Sequence, residues 1–391
     1  MNYTLIEGDC IEVMAGFEPC SIDAIVCDPP YGIGFMGKGW DCAVPGDDFA
    51  AAAFRVLKPG GHLVAFAATR TIHRLTVALE NASFEVRDQI GWVQWQGFPK
   101  SLDVSKSIDA AAGVEREHTG IVSSVTGSRN SKGFEKYGNG KGIPESVNMI
   151  TAPATDDAKR WQGFGTGLKP AFEPCILVRK PLAGTVAANV LQHGTGALNI
   201  DGCRFAYGDP AWPGPQSDEH RIGEALTTTR NQSERVVSLP PIKMPLFHIQ
   251  GRFPANIYHC PKPSRSEREA GCQHLKPKTG AEAVMREEGT AGLDNPRAGA
   301  GRTAQSVKNY HPTVKPSALM AWLCTLVGGQ KGSLILDPFM GSGSTGIGCL
   351  KAGFNFIGIE KDPDYLAIAR ARIRQASPMF DREVAHAPRA S

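Results

Sequence analysis

The sequence predicts an α/β protein: a Rossmann-like, mostly parallel twisted sheet, interrupted by a long loop-rich insertion. Three observations predict it. Short apolar strands alternate with amphipathic helices over residues 3–95, the rhythm of βαβ units. That rhythm stops near residue 100 and returns near residue 317. In the returning part, Gly341-Ser-Gly-Ser-Thr-Gly346 stands between a strand and a helix, with the G-x-G-x-x-G spacing of a tight βα turn.

Each element has a local reason. Tyr3 to Glu7 reads as a strand ending at Gly8-Asp9, and a short helix runs from Cys10 to about Phe17. The apolar strand Asp23 to Cys27 stops at Asp28-Pro29-Pro30-Tyr31, because prolines cannot continue a sheet. Gly32 to Gly39 is a glycine-rich loop. Asp47 or Asp48 is placed to cap a helix running to Leu57. His62 to Ala67 is a buried strand, Thr71 to Asn81 an amphipathic helix, and Phe84 to Gln94 one or two strands. Phe172 to Val178 is a strand returning to the core, and a short helix lies within Val186 to Gly202. Ser317 caps a helix to Val327, and Ser333 to Leu336 is a strand. A helix to about Ala352, the strand Phe354 to Ile359 and a helix opened by Pro363 complete the chain, with a frayed tail after Ser377.

The expected division is residues 1–100, an insertion over 101–310 in which about 168–202 returns to the core, 311–376, and a tail over 377–391. The insertion is rich in Gly, Ser, Asn and Lys, and so much loop in a compact domain points to function or disorder. It carries a small excess of basic residues, whereas the rest is slightly acidic, a direction that suits contact with a polyanion. No run of about 18 apolar residues exists, so no membrane span is expected. The N-terminus reads as a strand and not as a signal peptide. No Cys-x-x-Cys occurs, which suits a reduced cytoplasmic protein. His259, Cys260, Cys272 and His274 have no common zinc spacing, and no metal is expected.

Two turns carry the chemistry. At Asp28-Pro-Pro-Tyr31 an acid, two stiff residues and an aromatic ring are held at a strand's carboxyl end, where open α/β sheets place their sites. Such a cluster can accept hydrogen bonds from an amino group and stack on a flat ring, although a strand end closed by a Pro-Pro turn would look the same. In the glycine loop, Asp337 precedes the turn directly and would repel a pyrophosphate. No phosphate-binding Lys is present. A carboxylate there suits a cationic amino group, and Glu360 after the next strand suits a ribose diol. A ligand with adenosine at one end and an amino acid at the other is S-adenosylmethionine.

These stretches resemble a known family. Asp337-Pro-Phe-Met-Gly-Ser-Gly-Ser-Thr345 with Ile359-Glu360 is similar to the cofactor motif of amino-group DNA methyltransferases, and Asp28-Pro-Pro-Tyr31 to their catalytic motif. The order, catalytic motif first, resembles the β class, a circularly permuted arrangement. His311-Pro-Thr-Val-Lys-Pro316 and Gly8-Asp9 are further matches, and Leu168–Pro174 and Gly194–Asp201 resemble the phage and prophage branch. The resemblance covers about 1–110 and 165–375.

The resemblance implies the S-adenosylmethionine-dependent methyltransferase fold and a direct transfer to an exocyclic amine, with no metal. Asp28, Pro29, Pro30 and Tyr31 are then the catalytic turn. Asp337, Pro338, Phe339, Gly341, Ser342, Gly343, Ser344 and Thr345 hold the methionine end, and Asp28 borders the cofactor. Glu360 meets the ribose and Asp9 the adenine, with Cys10 and Lys361 also in the cofactor site. Thr313 and Lys315 close over the carboxylate. Asp at the first motif position resembles the adenine-N6 enzymes, with cytosine N4 as the alternative. A DNA-binding protein with an inactive methyltransferase fold is the alternative of another class.

A base in duplex DNA must flip out to reach such a site. The insertion is then the target-reading region, with Arg129, Asn130, Lys132, Lys136, Asn139 and Lys141 in a polar loop and Lys38, Trp95, Lys100 and Ser101 along the channel. The implied partners are double-stranded DNA and a second copy of the chain. The implied setting is a bacterial or phage-encoded restriction-modification or solitary enzyme.

Overall fold

The strand Ile22–Cys27 is buried at every position, as befits a strand with neighbours on both sides and helices on both faces. It is the middle of the sheet in the computed structural model, which describes residues 1–34, 39–97, 101–122, 148–206, 208–212, 251–278, 282, 306–376 and 382–383. In chain order the elements are β1 (Asn2–Glu7), α1 (Cys10–Ala15), β2 (Ile22–Cys27), α2 (Asp47–Val56), β3 (Leu57–Phe66), α3 (Ile72–Asn81) and β4 (Glu85–Val93). Next come α4 (Val104–Ala111), β5 (His118–Val122), β6 (Asn148–Thr151), α5 (Asp156–Arg160), β7 (Phe172–Arg179), α6 (Val186–His193), β8 (Ile257–His259) and α7 (Arg265–Glu269). The last group is α8 (Ser317–Val327), β9 (Leu334–Asp337), α9 (Ser344–Ala352), β10 (Asn355–Glu360), α10 (Pro363–Ala376) and β11 (Arg382–Glu383).

The chain divides into two compact units: residues 1–94, 172–275 and 311–391 in the first, and 95–171 and 276–310 in the second. The first contains the sheet, in the order β11-β1-β10-β9-β2-β3-β7-β4-β8. Strand β7 runs antiparallel to both its neighbours, and the other pairings are parallel. Side chains of β2 alternate between two cores. Ala24 and Val26 join one with Leu319, Met320, Ile347, Leu366 and Ile373. Ile25 and Cys27 join the other with Met14, Phe49, Ala53, Leu75 and Leu79. Helices α8, α9 and α10 therefore cover one face, and α1, α2 and α3 the other. The acid inside β2, Asp23, is satisfied: Lys58 pairs with it, and the Leu334 N–H donates to its Oδ2 at 2.7 Å.

Three local readings change. Strand β3 begins at Leu57 and takes in Lys58-Pro-Gly-Gly61, with an irregular register against β2 between Ile22 and Ala24. Gly60 permits this: its φ is +76°, and a Cβ there would meet Asn189 Nδ2 at 2.4 Å. Ser317 is inside α8 and does not cap it; Pro316 stands at the N-cap. The Ser317 N–H and hydroxyl both donate to Glu267 Oε1 at 2.8 Å, a partner 50 residues away. Gly46 takes the N-cap of α2, which leaves Asp47 and Asp48 in the first turn, where carboxylates suit the helix dipole.

In the second unit β5 and β6 form an antiparallel pair. Asp109 ties the unit together, accepting the Ala154 and Thr155 N–H groups, each at 3.0 Å, and facing Arg116 at 3.4 Å. Among the described residues, no helix is long and apolar enough to cross a membrane, and no three His, Cys, Asp or Glu are grouped to hold a metal.

Candidate functional site

Strands β9 and β2 are parallel neighbours, paired Ala24↔Ile335 and Ile25↔Leu336. From β9 the chain passes through α9 to β10 on one side. From β2 it passes through α2 to β3 on the other. The connections diverge, so the carboxyl ends of these strands border a crevice, the usual ligand position of an open α/β sheet. Asp337 ends β9, and Asp28-Pro29-Pro30-Tyr31 follows β2.

The glycine loop is held from within and from below. Asp337 is 1% exposed, accepts the Phe339 N–H at 3.0 Å and also accepts the Thr345 hydroxyl. Burial pushes its carboxyl up to about 7, against those two hydrogen bonds and with help from the charges of Asp28 and Glu360. Gly341 has φ +53°, and a Cβ there would lie 2.7 Å from His311 Nε2. Gly346 lets α9 approach: its Cβ would meet Ile373 Cδ1 at 2.6 Å and Phe356 Cε1 at 2.7 Å. The buried Arg372 guanidinium donates to the Ser342 carbonyl, to Ser342 Oγ at 3.0 Å and to Ser344 Oγ at 3.3 Å.

Two acids stand at the next strand ends. Glu360 closes β10 and Glu7 closes β1, in register with each other. Glu360 accepts the Gly341 N–H at 2.7 Å and the Asp362 N–H at 2.9 Å, and burial raises its pKa. Asp9 caps α1 by accepting the Ile11 N–H at 3.0 Å and pairs with Lys361 at 3.3 Å. Some burial works to raise its pKa, but the Ile11 N–H and Lys361 bring the net shift down. The Cys10 thiol is pushed up to about 12, chiefly by burial, and is no nucleophile at neutral pH.

At the other strand end, Asp41 accepts three consecutive N–H groups, from Tyr31 at 2.6 Å, Gly32 at 2.9 Å and Ile33 at 3.3 Å. Thr71 Oγ1 donates to the Tyr31 carbonyl at 2.8 Å. The turn is therefore fixed at both its amides and its carbonyl. The Tyr31 hydroxyl donates to Asp28 Oδ1 at 2.9 Å. The Lys315 ammonium lies 2.9 Å from Asp28 Oδ2, 3.0 Å from the Tyr31 hydroxyl and 3.3 Å from Glu173 Oε2.

One cavity of about 840 Å³, all within the first unit, joins these groups. Asp9, Cys10, Asp28, Pro30, Thr313, Lys315, Asp337, Pro338, Phe339, Gly341, Ser342, Ser344, Thr345, Glu360 and Lys361 line it, with Trp40, His311 and Tyr365. Gly343 underlies the loop, at φ +79°, with Ile373 3.0 Å from where its Cβ would be. Tyr31 and Pro29 belong to the adjoining turn. Lys315 is turned toward Asp28 and Glu173, so its ammonium is already occupied by carboxylates of this chain. Trp95 and Ser101 belong to the second unit. Trp95 is exposed, whereas Ser101 Oγ accepts the Thr166 N–H at 2.9 Å and the Gly167 N–H at 3.2 Å and so braces its own loop. Lys38, Lys100, Arg129, Asn130, Lys132, Lys136, Asn139 and Lys141 lie outside the described residues.

Four residues at this site carry no motif of their own: Asp41, Glu173, Glu267 and Arg372. Glu173 had the clearest available signal, an acid within Leu168-Lys-Pro-Ala-Phe-Glu-Pro174 at the start of the returning strand.

The sheet order, with β7 antiparallel to both its neighbours, and the glycine-loop crevice define a Rossmann-like α/β fold. Over residues 212–371 the chain matches the family model described as DNA methylase. The Type II methyltransferase M2.MboI of Moraxella bovis is 38% identical over 79 residues, 20% of this chain and 29% of that protein. M2.DpnII of Streptococcus pneumoniae is 46% identical over 63 residues, 16% of this chain and 23% of that protein. The chain thus spans less than a third of the length of these curated relatives. The crystal structure of the M1.HpyAVI–SAM complex superposes with a TM-score of 0.42 at 17% identity, covering 95% of this chain and 98% of that one.

S-adenosylmethionine fits the donor set. The cavity has the size of a small-molecule site. Its acids come from four neighbouring strand ends, Asp9 after β1, Glu360 on β10, Asp337 on β9 and Asp28 after β2, and suit a cationic ligand with a ribose diol.

Proposed function

We propose that the protein is an adenine-N6 DNA methyltransferase, moving the methyl group of S-adenosylmethionine to the exocyclic amine of an adenine flipped out of duplex DNA. One observation carries this: the Asp28–Tyr31 turn and the Asp337–Thr345 loop leave neighbouring strand ends and border one cavity. The DNA methylase match and the Asp at the head of the turn, which resembles adenine-N6 enzymes, support it.

When bound, the cofactor supplies a methyl group on a cationic sulfur. The chain's own residues supply position and field. Asp337 and the N–H groups of the glycine loop hold the amino-acid end, Glu360 accepts from the ribose hydroxyls, and Asp9 accepts from the adenine amine. An exocyclic base amine is conjugated with its ring and is a weak nucleophile. The Asp28 carboxylate and the Pro29 carbonyl accept its two hydrogens, which draws the nitrogen lone pair out of the ring and toward the methyl carbon. Transfer would be a direct in-line displacement with no covalent enzyme adduct, the C–S bond breaking as the N–C bond forms, and the surplus amine proton would pass to water. Tyr31 stacks on the flipped base, a contact of roughly 1–3 kcal/mol. Target reading is assigned to the insertion, and the candidates for DNA contact are Arg129, Asn130, Lys132, Lys136, Asn139 and Lys141, with Lys38, Trp95, Lys100 and Ser101. A homodimer would let one copy read while the other modifies.

The test is transfer of label from tritiated S-adenosylmethionine to unmethylated duplex DNA, followed by nucleoside analysis. Label in N6-methyladenine, lost in Asp28→Ala while cofactor binding persists, is the expected result. Label in N4-methylcytosine moves the reaction to the other base. Label in protein alone overturns the proposal, as does tight DNA binding with no turnover, which would make the protein a DNA-binding one with an inactive site.

A further inference from the structure

Lys315 is 5% exposed and has three acceptors for its three ammonium hydrogens: Asp28 Oδ2, the Tyr31 hydroxyl and Glu173 Oε2. Three aromatic rings also surround it. The ring centres of Phe66, Tyr31 and Trp92 lie 4.7, 5.3 and 5.8 Å from the nitrogen. A buried ammonium needs compensation, and here two carboxylates share one cation. They are not equivalent. Asp28 heads the turn on the cavity and also takes the Tyr31 hydroxyl at 2.9 Å, whereas Glu173 projects from β7, does not line the cavity, and is 3.5 Å from that hydroxyl. An incoming amine meets Asp28 and leaves Glu173 with the lysine.

We propose that Glu173 and Lys315 are positioning residues that set the charge of the amine-accepting carboxylate: Glu173 anchors the Lys315 ammonium, and Lys315 holds Asp28 as an ionised acceptor. The proposal rests on the methyltransferase reading above and deepens it. An ionised carboxylate offers only acceptor lone pairs to an amine hydrogen, whereas a protonated one also carries a competing O–H donor. The groups that face Asp28 act in opposite senses. Burial raises its pKa, Lys315 from the segment before α8 lowers it, Glu173 from β7 raises it, and the Tyr31 hydrogen bond lowers it, with a net upward shift. Asp337 at the end of β9, the buried Cys27 and Cys175 thiols, and His311 beside Lys315 are further titratable neighbours. Lys315 itself is destabilised as a cation by burial, but Asp28 and Glu173 more than offset this and keep it charged.

The arrangement makes a prediction of opposite sign at two positions. In Lys315→Gln the Asp28 carboxylate loses its counter-ion, and the acid limb of the kcat profile moves up by about 1–3 pH units. In Glu173→Gln a negative neighbour is lost, and the limb moves down. A residue that merely packs would lower the rate without moving the limbs apart. The same shifts are read without turnover by 13C NMR titration of carboxyl-labelled Asp in the cofactor-free protein, with the Asp28 resonance assigned by its absence in Asp28→Asn. Lys315→Arg, which keeps the charge, restores the wild-type titration. Limbs and resonances that stay at the wild-type pH, or move in the same direction in both variants, overturn the proposal. If the wild-type protein methylates no DNA, the methyltransferase reading fails, and the NMR titration still decides whether Lys315 and Glu173 govern Asp28.

Discussion

The Thr345 hydroxyl donates to the buried carboxylate of Asp337, so the end of β9 and the first turn of α9 are tied across the glycine loop. Replacing Thr345 by Val keeps the shape and removes the donor. The variant should lose about 1–3 kcal/mol of stability in urea unfolding, the cost of a buried acceptor left short of a partner. Asp337 should also titrate at higher pH, because this hydrogen bond lowers its pKa.

On the proposed methyltransferase reading, Asp337 gives cofactor binding a pH dependence. Its pKa in the folded protein, about 7, is above the ordinary 3.8. It must be ionised to pair with an ammonium, so affinity should be full above pH 7 and weaken up to about tenfold per unit below it. The sign for folding is the reverse. The folded state holds a proton that the unfolded chain has lost, so this group's contribution to stability falls as pH rises from about 4 to 7. Calorimetric titration and urea midpoints between pH 5 and 8 should show both trends, and Asp337→Asn should flatten them.

Asp41 stabilises a turn it does not belong to. Asp41→Ala leaves the Tyr31, Gly32 and Ile33 amides without their acceptor. The expected loss is about 1–3 kcal/mol, with faster hydrogen exchange at those three amides. Methyl transfer should fall while cofactor affinity is retained, because the glycine loop is held by other contacts.

Gly341→Ala combines a left-handed backbone, φ +53°, with a Cβ 2.7 Å from the His311 ring. The backbone term alone is about 1–2 kcal/mol. The imidazole is buried between this loop and Tyr365, with ring centres 4.5 Å apart, and has little room to withdraw. Cofactor binding should drop with only a modest fall in thermal midpoint, measured by calorimetry and thermal unfolding on the same preparation.

What was legible in the sequence follows from how local its cause is. The βαβ elements, the Pro-Pro stop after β2 and the glycine turn each depend on a few consecutive residues, and the structure shows them with ends displaced by a few positions. Ser317 was misread because its hydroxyl is taken by Glu267 from a distant segment, and a capping pattern cannot announce such a competitor. Asp41, Glu173 and Arg372 escaped for the same reason: each acts on a motif from another part of the chain, and an isolated acid or Arg has no periodicity. The antiparallel direction of β7 was equally hidden, because an apolar run looks alike in either direction.

The sheet also carries a timetable. Strands β1 and β2 are consecutive in the chain, yet β10 and β9 lie between them in space. During synthesis the two N-terminal strands emerge first and find no partner for the edges they will finally share. Until β9 has left the ribosome, the central strand β2 has its β9 edge open, a row of unpaired N–H and C=O groups between two apolar faces. Long-range parallel pairing of this kind is slow and exposed to aggregation. The pairings of β1 and β2 with β10 and β9 must therefore wait for residues far downstream, and a truncated chain ending before β9 would present a sticky edge in place of a half-built site.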